Sequence, residues 1–170
     1  KLKIGKKTAI NKATKEEIVL TNYLKKLSPK ILLVDDNAVN RKVAREILTR
    51  AGCDILEAES GLLAIENYTK SQDFNLILMD IQMPVLDGIE TTKKLRETFG
   101  SKLPKVVAMT AYSMQDDKEK FLNSGFDGYV SKPIRAEILV KTVEKMIVGK
   151  KSAISKNKKT PISVSSFPSF

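Results

Sequence analysis

The stretch Asn75 to Gly88, NLILMDIQMPVLDG, opens on Leu76, Ile77, Leu78 and Met79 in succession and ends that run on a carboxylate, Asp80. An unbroken apolar run of this length suits a strand buried on both faces of a parallel sheet. A charge beside such a core is costly unless something pairs it. What surrounds this strand decides the fold, and what pairs with Asp80 decides the chemistry.

On either side, short apolar runs alternate with helical periodicities. ILLV (31–34) reads as a strand, and residues 38–51 repeat Val39, Val43, Ile47 and Leu48 at helical spacing before Gly52. CDILEA (53–58) is the second strand, a helix over 61–70 follows Ser60, and NLILM is the third strand. Asp87 caps a helix over 88–99, KVVAM (105–109) is the fourth strand, and Ser113 with Asp116 opens a helix over 114–123. A GYV strand (128–130) and a helix over 135–148, carrying Ile138, Leu139, Thr142, Val143, Met146 and Ile147, complete the series. Five alternations with short connections imply right-handed crossovers and an α/β fold, a parallel sheet with helices on both faces.

The flanks differ from this middle. Residues 1–29 hold 8 Lys against 2 Glu, residues 150–170 hold 5 Lys and no acid, and residues 30–149 hold 17 Lys plus Arg against 18 Asp plus Glu. The net charge of +10 therefore belongs to the ends, at +6 and +5, around a domain of −1. That argues against a nucleic-acid surface on the domain itself, and Lys-rich tails are commonly just solvated. Residues 1–13 are basic and aperiodic, and Thr14 with Glu17 resembles a capping box opening a helix over 15–27 with Leu20, Tyr23, Leu24 and Leu27 on one face. Ser28 and Pro29 end it. The expected division is a basic linker over 1–29, a domain over 30–149, and a Lys- and Ser-rich disordered tail over 150–170. Cys53, the single cysteine, reads as a small buried hydrophobe and suits a reducing, cytoplasmic compartment. No apolar stretch approaches the roughly 18 residues of a membrane span. The first residue is Lys1 rather than Met, as in a processed chain or one cut from a longer protein.

In an open parallel sheet, functional groups gather outside the carboxyl ends of the strands. Strand one ends in Asp35 and Asp36, strand three in Asp80, strand four in Thr110, and Lys132 and Pro133 follow strand five. Any one of these has an ordinary explanation as a cap or a solvated charge, but five at equivalent strand ends form a set. Three carboxylates within reach of one another repel, so they share a proton or hold a cation. Oxygen ligands, with no His in the chain and no Cys pair, favour Mg²⁺ over zinc or copper. A cation beside a carboxylate screens it from an approaching phosphoryl group, and carboxylates serve as phosphoryl-accepting nucleophiles. Lys132 would add positive charge, and Thr110 a hydroxyl, at the phosphoryl oxygens.

ILLVDDNAVNR, LILMDIQMPVLDG, VVAMTA and GYVSKPI together resemble, in order and spacing, the receiver domain of two-component response regulators over about residues 30–148. The resemblance implies a flavodoxin-like (βα)5 doubly wound sheet with strand order 2-1-3-4-5. It implies that Asp80 is the phosphoacceptor, that Asp36 and Asp80 ligate Mg²⁺ directly, that Asp35 acts through water, and that the backbone carbonyl of Gln82 is a further ligand. It also implies that Thr110 and Lys132 contact the phosphoryl group, that the Lys132–Pro133 bond is cis, and that Tyr129 is an aromatic switch. Implied partners are a histidine kinase or a histidine phosphotransfer protein, and a homodimer through the face built by the 114–123 helix, the fifth strand and the last helix. Met83 and Pro84 shape the loop rather than take part in chemistry.

The wording DDNAVNR and MDIQMPVLDG is most similar to receivers of hybrid histidine kinases, with single-domain regulators the alternative. A haloacid dehalogenase-type phosphohydrolase also uses a strand-end Asp and Mg²⁺, but carries a second Asp two residues on, where this chain has Gln82. Without that acid and base the aspartyl phosphate persists, which suits a signal and not an enzyme with turnover. A dinucleotide site is excluded, since the turn after strand one reads DDNAVN and not G-x-G-x-x-G.

Overall fold

The computed structural model describes residues 23–111 and 123–155, with side chains to Gly149. The elements are β1 (Lys30–Val34), α1 (Ala38–Arg50), β2 (Asp54–Ala58), α2 (Gly61–Lys70), β3 (Leu76–Asp80), α3 (Gly88–Phe99), a 3-10 turn (Gly100–Lys102), β4 (Lys105–Thr110), β5 (Gly128–Ser131) and α4 (Ala136–Ser155). The five strands are parallel in the order β2-β1-β3-β4-β5, as the resemblance implied. The helix expected over 114–123 lies, but for its last residue, outside the described residues.

Every residue of β3 is buried, because β1 and β4 flank it and helices cover both its faces. Side chains alternate across a strand, so its residues divide between two cores. Ile77 and Met79 join Leu32, Val34, Val106 and Ala108 under Ala64 and Tyr68 of α2 and Leu95 of α3. Leu76 and Leu78 join Ile31, Leu33, Val107, Met109 and Val130 under Ala44 and Leu48 of α1 and Leu139, Val143 and Ile147 of α4. Cys53 is buried in this second core, and burial, with Glu144 nearby, pushes its thiol up to about 12.

The caps are those read from the sequence: Ser60 Oγ accepts from Leu63 N, and Asp87 Oδ1 from Glu90 N. Three details differ. On α1 the residues turned inward are Ala44 and Leu48, followed by Ala51, while Val39 and Val43 of the expected stripe are exposed. Two small alanines let the helix lie close to the sheet, and this rotates the valines into solvent. At the other end α4 runs to Ser155, so residues 150–155, assigned to the tail, are helical; no proline occurs before Pro161 to stop the helix. Of the helix expected over 15–27, residues 23–27 are described and helical, and Leu24 is completely buried in the second core. The residues just before β1 therefore pack as part of the domain.

Candidate functional site

Val34 of β1 lies opposite Met79 of β3, so Asp35 and Asp36 leave the sheet beside Asp80. Asp35 is fully buried and Asp80 nearly so, whereas Asp36 is exposed. One carboxylate oxygen from each of the three lies within 4.8 Å of the others. Thr110, buried at the end of β4, is one residue past Met109, the partner of Asp80 in the register.

Lys132 reaches back over this edge. Its Nζ is 2.8 Å from Asp35 Oδ2 and 2.9 Å from Asp80 Oδ1, so one ammonium bridges two of the three acids. Its backbone N–H donates to the Thr110 carbonyl at 2.7 Å, which ties the segment after β5 to the end of β4. The Lys132–Pro133 bond is cis. Burial alone would lower the ammonium's pKa, but its hydrogen bonds and charge interactions with Asp35 and Asp80 together outweigh burial and raise it. For Asp80 the balance goes the other way. Burial raises its pKa, the Lys132 hydrogen bond opposes this, the Asp35 charge adds to the rise, and the net is upward.

The backbone holds the acids in place. Asp80 Oδ1 also accepts from Gln82 N at 3.3 Å, and Asp35 Oδ1 accepts from Asn37 N at 2.9 Å and from Asn40 Nδ2 at 3.5 Å. Asn37 in turn caps α1, its side chain accepting from Val39 N and Asn40 N. Arg41, which the sequence did not single out, donates from one guanidinium nitrogen to the carbonyls of Asp35 and Asp36 at 2.7 and 3.1 Å. The ion pair with Glu57 of β2 steadies that guanidinium. At Gly88 a Cβ would collide with the Asp80 carbonyl, so only glycine lets the start of α3 approach the acid's backbone. Met83 is buried in the first core, in keeping with a structural role. Tyr129 is half-exposed on β5.

The model of the response regulator receiver domain family matches residues 31–144. The chain belongs to that family. The chain is 40% identical over 144 residues to a hybrid signal transduction histidine kinase, kinase I of Dictyostelium discoideum, in a match covering 77% of this chain and 8% of the relative. The chain thus spans under a tenth of that relative's length. Among solved structures, the receiver domain of sensor histidine kinase PA1611 from Pseudomonas aeruginosa PAO1, with a magnesium ion coordinated in its active-site cleft, is 30% identical with a TM-score of 0.65, over 71% of this chain and 98% of that one. The receiver domain of the response regulator Ssk1 from Saccharomyces cerevisiae, in complex with the histidine phosphotransfer protein Ypd1, is 29% identical with a TM-score of 0.66, over 72% of this chain and 91% of that one. No described helix is long and apolar enough to cross a membrane.

Proposed function

We propose that this receiver domain takes a phosphoryl group from a partner's phosphohistidine onto Asp80. The observation that carries the reading is the Lys132 ammonium held between Asp35 and Asp80, a fixed positive charge where phosphoryl oxygens would arrive. A carboxylate oxygen of Asp80 forms the new P–O bond as the P–N bond breaks, and the imidazole leaves with that electron pair. Thr110 Oγ1 and Lys132 Nζ donate to the phosphoryl oxygens. Asp36 and Asp80, with Asp35 behind them and the Gln82 carbonyl, would hold Mg²⁺. Three carboxylate oxygens within 4.8 Å and no sulfur or imidazole donor fit a hard cation. Bound there, Mg²⁺ would offset charge on the phosphoryl oxygens.

The linkage from Lys132 N to the Thr110 carbonyl supports a route by which phosphorylation reshapes the surface around β5 and Tyr129. That same face would receive a second copy of the chain. The likeness to a hybrid kinase supports a place within such a kinase in the cytoplasm, and the likeness to Ssk1 supports Ypd1-like proteins as partners and a regulator as the second reading. The test is Mg²⁺-dependent addition of one phosphoryl group from acetyl phosphate, mapped to a peptide. Label on Asp80 that disappears in Asp80→Asn supports the reading; undiminished labelling of Asp80→Asn at another carboxylate overturns it.

A further inference from the structure

A regular strand sends successive side chains to opposite faces and successive carbonyls to opposite edges. Asp35 and Asp36 break both rules. Each places a carboxylate oxygen in the set that lies within 4.8 Å, and their carbonyls both accept from the same Arg41 nitrogen, at 2.7 and 3.1 Å. Asp35 N still donates to Ala58 O at 3.2 Å, continuing the ladder with β2, and the chain bends at Asp36. That bend turns Asp36 back to the side of Asp35, and the Arg41 guanidinium closes it.

Asp36 depends on this bend more than its neighbours do. Lys132 and Gln82 N hold Asp80, while Lys132, Asn37 N and Asn40 hold Asp35. Among the described residues, no hydrogen bond or ion pair reaches the exposed Asp36 carboxylate, so its place is set through its backbone. Arg41 suits that task. Its side chain is only 14% exposed, its Nε donates to Glu57 Oε2 of β2 at 3.4 Å, and its other terminal nitrogen lies 3.9 Å from Glu59. A guanidinium is a rigid planar fork, so the edge anchored on β2 also aims the nitrogen that serves the two carbonyls.

We propose that Arg41 is a positioning residue for the cation site, its fork raising the affinity for Mg²⁺ by holding Asp36 in the ligating arrangement, an inference that rests on the cation site proposed above. Groups that orient metal ligands from behind typically contribute about 10- to 100-fold in affinity. Charge alone predicts a different pattern. A cation beside a cation site repels Mg²⁺, so without the positioning role a neutral replacement would bind Mg²⁺ more tightly and a lysine would bind it equally.

The experiment is calorimetric titration of the unphosphorylated chain with Mg²⁺, with no phosphodonor, for wild type, Arg41→Met and Arg41→Lys, each with its thermal midpoint measured in EDTA. Methionine keeps an apolar stem on α1 and leaves the two carbonyls to water, while lysine keeps the charge but not the fork. The expected result is Mg²⁺ binding about tenfold weaker in Arg41→Met, and weaker than wild type in Arg41→Lys. Binding by Arg41→Met within about twofold of wild type, or tighter, overturns the inference; if the midpoint in EDTA falls at the same time, the arginine is purely structural. Wild-type affinity in Arg41→Lys overturns it too, since the fork is then irrelevant, and this comparison decides alone if Arg41→Met does not fold. A wild type that binds no Mg²⁺ sinks the cation site itself, whereas binding that neither variant weakens sinks the inference alone.

Discussion

The Lys132 ammonium lies 2.9 Å from Asp80 Oδ1, and the same nitrogen serves Asp35 at 2.8 Å. Two buried acids thus share one cation, and the two partners of the pair respond oppositely to neutral substitution. Lys132→Ala strands two like charges and should cost about 2–4 kcal/mol, in the lower part of that range where the site opens to water. Asp80→Asn leaves the Lys132–Asp35 pair intact and removes the group whose ionised form burial disfavours, so it should gain roughly 1 kcal/mol. Urea unfolding in EDTA measures both, and equal signs would contradict the geometry.

Mg²⁺ should raise the melting temperature of the unphosphorylated domain, since a ligand at about 100 times its Kd adds roughly 2.7 kcal/mol to the native state. The cation relieves the crowding of Asp35, Asp36 and Asp80, so Asp36→Asn should shrink the increment and EDTA should reverse it. Identical melting curves in Mg²⁺ and EDTA would remove the cation from the reading.

Leu24 and Gly52 test whether the residues before β1 belong to the fold. Leu24→Ala empties a fully buried position and should cost about 2–4 kcal/mol. A Cβ at Gly52, where φ is +98°, would come within 2.5 Å of the Lys25 Cα, so Gly52→Ala should force the preceding helix away. A chain truncated to begin at Lys30 should lose about as much stability as Leu24→Ala. If the truncated chain unfolds at the same urea concentration as the longer one, residues 23–27 only rest on the domain.

The parts of this molecule that were legible in the sequence are those with a periodic or positional signal. The unbroken run of β3 announces a strand buried on both faces, and strand-end acids announce the edge where they meet. The face of α1 was not legible, because Val39 and Val43 keep the same helical spacing as Ala44 and Leu48, and packing distance chose the small residues. Arg41 looked like any solvated cation on a helix, although its guanidinium fixes the backbone of Asp35 and Asp36. Leu24 lay in a segment whose charge suggested a linker, and its burial goes with a close approach of Lys25 to Gly52, a contact between distant residues that no local pattern reveals.

Glu144 carries the last prediction. It is buried on α4 near Cys53, and its Oε1 has no hydrogen-bond partner. Burial raises its carboxyl pKa above the unfolded value, so the folded state binds the proton more tightly than the unfolded state. Stability should then fall as pH rises from the unfolded pKa through the raised folded one, with the full penalty present at neutral pH. Glu144→Gln removes the charge and should stabilise the domain at pH 7 by roughly 1 kcal/mol, since the burial cost of the carboxylate is relieved while the amide oxygen keeps the acceptor in place. Below the unfolded pKa of about 4 the advantage should vanish, since the wild-type carboxyl is then protonated in both states. Urea denaturation of both proteins from about pH 3 to 8 checks this. A difference independent of pH would assign the effect to packing, and a less stable variant at pH 7 would mean that the carboxylate has a favourable partner.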